Sequence, residues 1–192
     1  MTDTANKVRF GLSDVAIAPI TAEGYGAPVP VPGAVSLTTD PDGSSEKFYA
    51  DNGAYYVVVT NNGYTGELNM ALVPDPVKVS IFGWEIDDNG ALVEVADAVA
   101  TPFALLFKVK GDKKDRLNVF YNVTAERPKG EDKTAEDKLS VTTETMPITM
   151  IPAEIGGRRV TKLSIEPTEA NASVIAGFYD EVYEPVFGSQ AA

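Results

Sequence analysis

Residues 47–72 read KFYADNGAYYVVVTNNGYTGELNMAL. Phe48, Tyr49, Tyr55, Tyr56 and Val57 to Val59 are residue types that fit a pleated, half-covered surface. Asp51-Asn-Gly53 and Asn61-Asn-Gly63 place Asn before Gly, a pairing that tolerates positive φ and favours tight turns. Leu68, Met70 and Leu72 then alternate with Glu67, Asn69 and Ala71, the period of a strand with one apolar face. The stretch therefore predicts strand, turn, strand, turn, strand. Its middle strand, residues 54–60, is apolar at consecutive positions through Tyr55, Tyr56, Val57, Val58 and Val59. A strand of that kind is expected to be covered on both sides.

The same alternation extends in both directions. Val8, Phe10 and Leu12 alternate with Arg9 and Gly11, and Val35 and Leu37 with Ser36, Thr38 and Asp40. Phe103, Leu105, Phe107 and Val109 line one face of a strand. Leu117, Val119, Tyr121 and Val123 line its expected partner, with Gly111-Asp-Lys-Lys-Asp115 as the hairpin tip. Asp40-Pro-Asp-Gly43 and Asp87-Asp-Asn-Gly90 add two more turn signals. One helix is expected after Pro74, with Asp75 as N-cap and Pro76 at N1. Val77, Ile81 and Trp84 would share its buried face. A second helix is expected over 169–183, weakened by Gly177. Residues 139–150 carry a parity fault. Leu139 and Val141 are apolar at odd positions, Met146, Ile148 and Met150 at even ones, which requires a bulge, a bend or a change of cover. Pro147 makes that strand an edge or a bulged one. The Gly/Pro-rich segment 22–33 reads as a stiff extended arm or loop, and the charge-balanced segment 126–138 as an exposed loop.

Composition removes whole classes of function. The chain has 192 residues, enough for one sizeable domain, with 44% hydrophobic and 23% charged residues, so it is globular. It contains no histidine and no cysteine. Thiolate chemistry, disulfides, His-based triads and the commonest metal ligand are all excluded. The net charge of −12 opposes nucleic-acid binding. The opening MTDTANKVRFGL lacks an apolar signal core, and no stretch approaches the ~20 apolar residues of a membrane span. The acids at 40, 42, 46, 87 and 88 do not match a calcium loop, and Gly130-Glu-Asp-Lys-Thr134 lacks the glycine that precedes the lysine of a phosphate loop. The expectation is a protein that is not an enzyme, with no catalytic residue, cofactor or metal.

An ordered series of motifs carries a resemblance. Lys7-Val-Arg-Phe-Gly-Leu12, Tyr25-Gly-Ala-Pro-Val-Pro-Val-Pro-Gly-Ala-Val35, Lys47-Phe-Tyr-Ala-Asp-Asn52 with Ala54-Tyr-Tyr56, and Asn62-Gly-Tyr-Thr-Gly66 come first. Asp88-Asn-Gly-Ala-Leu-Val-Glu94, Phe103-Ala-Leu-Leu-Phe107, Val119-Phe-Tyr-Asn122 and Arg127-Pro128 follow. Over residues 7–152 the chain resembles the major tail proteins of phi13-type long-tailed phages of Gram-positive hosts. The resemblance implies a mainly β subunit: an antiparallel β-sandwich or split barrel over 1–152 with one flanking α-helix, then a C-terminal extension, 153–192, with a short helix. It implies stacked hexameric rings forming a non-contractile tail tube in the virion, assembled in the bacterial cytoplasm. The implied partners are the tape-measure protein, the tail terminator, the baseplate or distal tail protein, and double-stranded DNA in passive transit, with no membrane.

A conduit for DNA should not hold phosphates, and six-fold repetition would multiply any basic lumen residue. Segments 35–40, 54–60, 65–72 and 139–150 contain no Lys or Arg. The candidate lumen-lining residues are therefore Ser36, Thr38, Asp40, Glu67, Asn69, Thr143 and Thr145. Segments 22–33 and 126–138 are the candidates for ring-to-ring contact. The alternative is a monomeric immunoglobulin-like binding or adhesion module, which would share the turns and the alternation.

Overall fold

Backbone pairing organises the chain, and helices play a small part. The computed structural model describes residues 5–50, 52–134 and 141–188. The strands begin with β1 (Arg9–Thr21), β2 (Gly24–Tyr25), β3 (Val29–Pro30), β4 (Ala34–Asp42), β5 (Ser45–Ala50), β6 (Gly53–Val59) and β7 (Gly63–Met70). Helix α1 (Asp75–Phe82) follows, then β8 (Glu85–Ile86), β9 (Leu92–Val93), β10 (Phe103–Gly111), β11 (Arg116–Ala125) and β12 (Glu144–Met150). The chain closes with β13 (Ala153–Ile155), β14 (Arg158–Val160), β15 (Lys162–Ile165), a 3-10 turn at Glu169–Asn171 and α2 (Ala172–Ala176).

Two antiparallel layers share one corner. In the first, β1 pairs β10 and β10 pairs β11, while β2 and β3 lie on the outer edge of β1. In the second, β12 pairs β7 and β7 pairs β4. The corner is β11. Its first half, Leu117 to Phe120, pairs β15, and its end, Val123 to Ala125, pairs Met150 to Ile148 of β12. The result is a mainly β, antiparallel, sandwich-like fold of the expected class, with one flanking helix and a short C-terminal one.

The main core fills the space between the layers. Phe103, Leu105, Phe107 and Phe120 from the first meet Leu68, Met70, Met146, Ile148 and Met150 from the second. Helix α1 closes one end with Val77, Ile81 and Phe82. A second core lies on the other face of the first layer. There Ala104, Leu106, Val119 and Tyr121 are covered by Ile155, Phe178 and Val182. The run Phe103-Ala-Leu-Leu-Phe107 is thus buried on both faces. Residues beyond 152 supply the outer cover, and Tyr121 Oη donates to the Tyr183 carbonyl at 2.7 Å.

Several expectations change. Helix α1 has Pro74 as its N-cap, so Asp75 stands at N1, and no side chain caps it. Gly83 ends the helix at φ 67 with its N–H on the Val79 carbonyl. Trp84 therefore lies beyond the helix, its ring 6.2 Å from that of Phe82. The second helix stops at Ala176, where Gly177 begins a turn, although Phe178 and Val182 still reach the core. Of the two turns expected in 47–72, only the first reverses the chain, since Ala50 pairs Gly53. Asp51 itself lies outside the described residues. At Asn61-Asn-Gly63 the strand kinks and continues, and at Asp40–Gly43 it also continues. Their glycines serve close approach: a Cβ on Gly43 would strike the Thr60 carbonyl, and one on Gly63, at φ 125, the Met150 carbonyl.

β-Bulges break the simple alternation. A register shift between Ala34 and Ser36 turns Val35 outward, and one at Gly11 leaves Phe10 exposed. The parity fault dissolves because β12 begins only at Glu144. Val141 precedes it and is exposed, and Leu139 lies outside the described residues. Pro147 sits inside a paired strand. Its carbonyl accepts from Glu126 N–H at 2.8 Å, and its missing donor falls between the Ala125↔Ile148 pair and the Lys129↔Thr145 bridge.

Glu144 ties the helix to the sheet. Its carboxylate accepts from Val73 N–H at 2.5 Å and from Lys78 Nζ at 3.1 Å. Lys78, 8% exposed, also stands 5.7 Å from the Trp84 ring. Removing one partner strands a largely buried charge. Glu144→Ala is expected to cost about 3 kcal/mol in urea unfolding, and adding Lys78→Met should recover part of that loss. Burial first, then the charge of Glu184, pushes the Tyr25 phenol up to about 12. Burial also raises Tyr121 and Tyr179. The unfolded chain gives up those protons near pH ~10 while the folded one keeps them. Stability should therefore fall as pH rises beyond ~10, measured as a lower urea midpoint at about pH 11 than at about pH 9.

Candidate assembly surfaces

The second layer turns one face to the core and the other outward. Pairing registers place residues opposite one another on the same face. Ser36 faces Asn69, which faces Thr145; Thr38 faces Glu67, which faces Pro147; Asp40 faces Thr65, which faces Thr149. Six of the seven candidate residues thus share one outward face, made of β4, β7 and β12. Thr143 does not join them, because it precedes β12 and has no place in the register. The face also holds Thr65 and Thr149, which sequence reasoning passed over. Continuing the alternation from Glu67 and Thr145 would have found them.

Side-chain contacts stiffen this face. Asn69 Nδ2 donates to Thr145 Oγ1 at 3.1 Å. Thr38 Oγ1 accepts from Glu67 N–H at 3.1 Å. The three paired rows contain the carboxylates of Asp40 and Glu67 and no lysine or arginine. The neighbouring core side of the same strands is apolar, which holds the polar side outward by register.

The second surface is an arm. Strands β4 and β7 run on past the core as β5 and β6, which pair only with each other among the described residues. The two halves are stitched by Thr60 N–H to the Ser44 carbonyl at 2.8 Å and Asn62 N–H to the Asp42 carbonyl at 2.9 Å. The expected double cover of 54–60 is absent. Phe48, Tyr49, Tyr55, Tyr56, Val57, Val58 and Val59 are between 46% and 75% exposed. Phe48, Tyr56 and Val58 fall on one face and Tyr49, Val57 and Val59 on the other. Position explains the difference: the arm extends beyond the reach of the first layer. An isolated two-stranded ribbon with two apolar faces and two unpaired edges is marginal in water.

The sheet rims are open as well. Among the described residues β4 pairs only β7, and β15 pairs only β11. The two segments expected to form ring contacts differ in character. Residues 22–33 are not a free arm: β2 and β3 pair β1, and Val31 is in the core. Residues 126–134 form an exposed loop held by an Arg127–Glu94 ion pair of 2.8 Å, while 135–138 lie outside the described residues.

Among the described residues no three carboxylates come together to hold a metal, and no helix is long and apolar enough to cross a membrane. No protein-family model matches the sequence, and no curated protein matches it. The fold and its surfaces define a class: a split antiparallel sandwich with open rims, one polar outward sheet face and a projecting apolar arm.

Proposed function

We infer that this chain is a structural subunit that assembles with copies of itself, as the major tail tube protein of a long-tailed phage. The observation that carries this reading is the β5–β6 arm. Its seven exposed apolar side chains would each contribute on the order of 1 kcal/mol when covered. Together they offset an association cost of about 4 kcal/mol, the low end of the usual range. Identical neighbours are the occupants proposed, because the open β4 rim continues directly into the arm and offers unpaired backbone along the same edge. A monomeric adhesion module would leave both uncovered.

In this reading, stacked six-membered rings form a virion conduit around a tape-measure protein, capped by terminator and distal tail proteins. The outward face of β4, β7 and β12 lines the lumen. Ser36, Thr38, Asp40, Glu67, Asn69 and Thr145 present hydroxyls, an amide and carboxylates to passing DNA. The absence of Lys and Arg from those rows favours sliding, since each phosphate contact would add a salt-dependent hold.

Two experiments test this. Sedimentation velocity and negative-stain microscopy should show rings or tubes for the wild type. Tyr56→Glu with Val58→Glu should leave a folded monomer, because neither side chain belongs to the core. An unassembled wild type at every concentration, or a variant that assembles as well as wild type, would sink the reading. Glu67→Lys should leave tube assembly intact and slow genome ejection several-fold. Unchanged ejection kinetics would remove this face from the lumen.

A further inference from the structure

A basic cleft opens at one end of the sandwich. It measures about 670 Å³ and lies where β10 ends at Gly111 and β11 begins at Arg116. Its rim carries Lys7, Arg9, Lys110, Arg116 and Lys162, and its lining includes no acid. Five of the chain's 16 basic residues thus gather in one place on a protein of net charge −12. Glu166 neutralises Arg116, whereas Arg9, Lys110 and Lys162 have no carboxylate partner among the described residues. Tyr64, Phe107 and Val109 give the lining an apolar part, and Lys162 Nζ stands 5.8 Å from the Phe107 ring and 5.0 Å from that of the buried Phe120 beneath it. Partial desolvation, then the charges of Arg9 and Arg116, hold the Lys162 ammonium below the usual lysine range. Among the described residues Arg9, Lys110 and Lys162 are not paired to a carboxylate, which suits the cleft to an anionic ligand.

The opposite end of the molecule has the complementary surface. β10 and β11 are antiparallel, so Phe103 and Ala125 mark the far end, roughly 30 Å away at strand rise. There the segment 85–97, EIDDNGALVEVAD, carries Glu85, Asp87, Asp88, Glu94 and Asp97 and no base. Arg127, just past Ala125, holds Glu94 and fixes the segment at that end. β8 and β9 shape it into a hairpin, and Asp87 closes the tip by accepting the N–H groups of Ala91 and Asn89. Those backbone bonds, Ala91's first, lower the Asp87 carboxyl below the ordinary range. Ile86, opposite Leu92 on one face of the hairpin, is 58% exposed and would suit an apolar floor.

We propose that the acidic 85–97 hairpin of one copy docks in the basic cleft of the next, a head-to-tail contact that sets the polarity of the assembly. It rests on the self-assembling reading above. A head-to-tail contact closes into a ring only if the rotation between neighbours closes; one between opposite ends of the strands, as here, runs on along an axis. A contact between exposed charges weakens as salt shortens the Debye length.

Charge reversal tests it on the full chain. Lys110→Glu with Lys162→Glu makes both ends acidic, and Asp88→Lys with Asp97→Lys makes both basic. Each double variant alone should need about ten-fold or more protein than wild type to assemble, the size expected for reversing close charge pairs. Mixed one to one, the two should assemble again in alternation, which also shows that both are folded. Raising salt from about 0.05 M to about 0.5 M should weaken wild-type assembly. Either variant assembling alone like wild type, or a mixture that stays dissociated, overturns the proposal and leaves the tube reading standing. A wild type that is monomeric at every salt and concentration overturns both. A duplex oligonucleotide that binds wild type but not the Lys110→Glu/Lys162→Glu variant, with assembly unchanged, reassigns the cleft to a polyanion and overturns the proposal.

Discussion

A backbone amide or carbonyl taken out of water must find a partner, and β11 is where that demand shapes this molecule. One edge of β11 is satisfied along its length by β10. The other edge is shared: Leu117 to Phe120 go to β15, Val123 to Ala125 to β12. Because two strands occupy one edge at different heights, the sheet cannot continue flat. It divides into two layers that meet at the corner and open away from it. The main core fills that opening, α1 closes one end, and the cleft bounded by Lys162 and Arg9 remains at the other.

The long hairpin from β4 to β7 follows from the same demand. Its inner half is held by the core through Leu68 and Met70 and by pairing with β12. Its outer half has neither. Glycines at 43 and 63 let neighbouring backbones approach where the two halves join, so the ribbon passes from core to arm without losing its hydrogen bonds. The apolar residues of the arm are consequently carried away from their own core.

Polarity along the strand direction adds to this. The basic cleft and the arm both leave from the end where β7 and β11 begin, and the acidic hairpin from the end where they finish. The layers themselves supply the rigid spacing between the two.

The sequence by itself determined the local events. Alternation marked the strands, Gly111–Asp115 the tip between β10 and β11, and the lack of histidine and cysteine the absence of whole chemistries. Six of the seven polar positions assigned to one face do lie on one face, because a period of two is a local property of the chain. Bulges at Val35 and Gly11, the kink at Asn61–Gly63 and the late start of β12 depend on which strands pair, and that is decided at long range. The plainest contrast is between Phe103-Ala-Leu-Leu-Phe107 and Tyr55-Tyr-Val-Val-Val59. Both are apolar on two faces. The first is buried by its own chain, the second stands in solvent. Apolar pattern states how much area should leave water; only tertiary structure decides whose atoms will cover it.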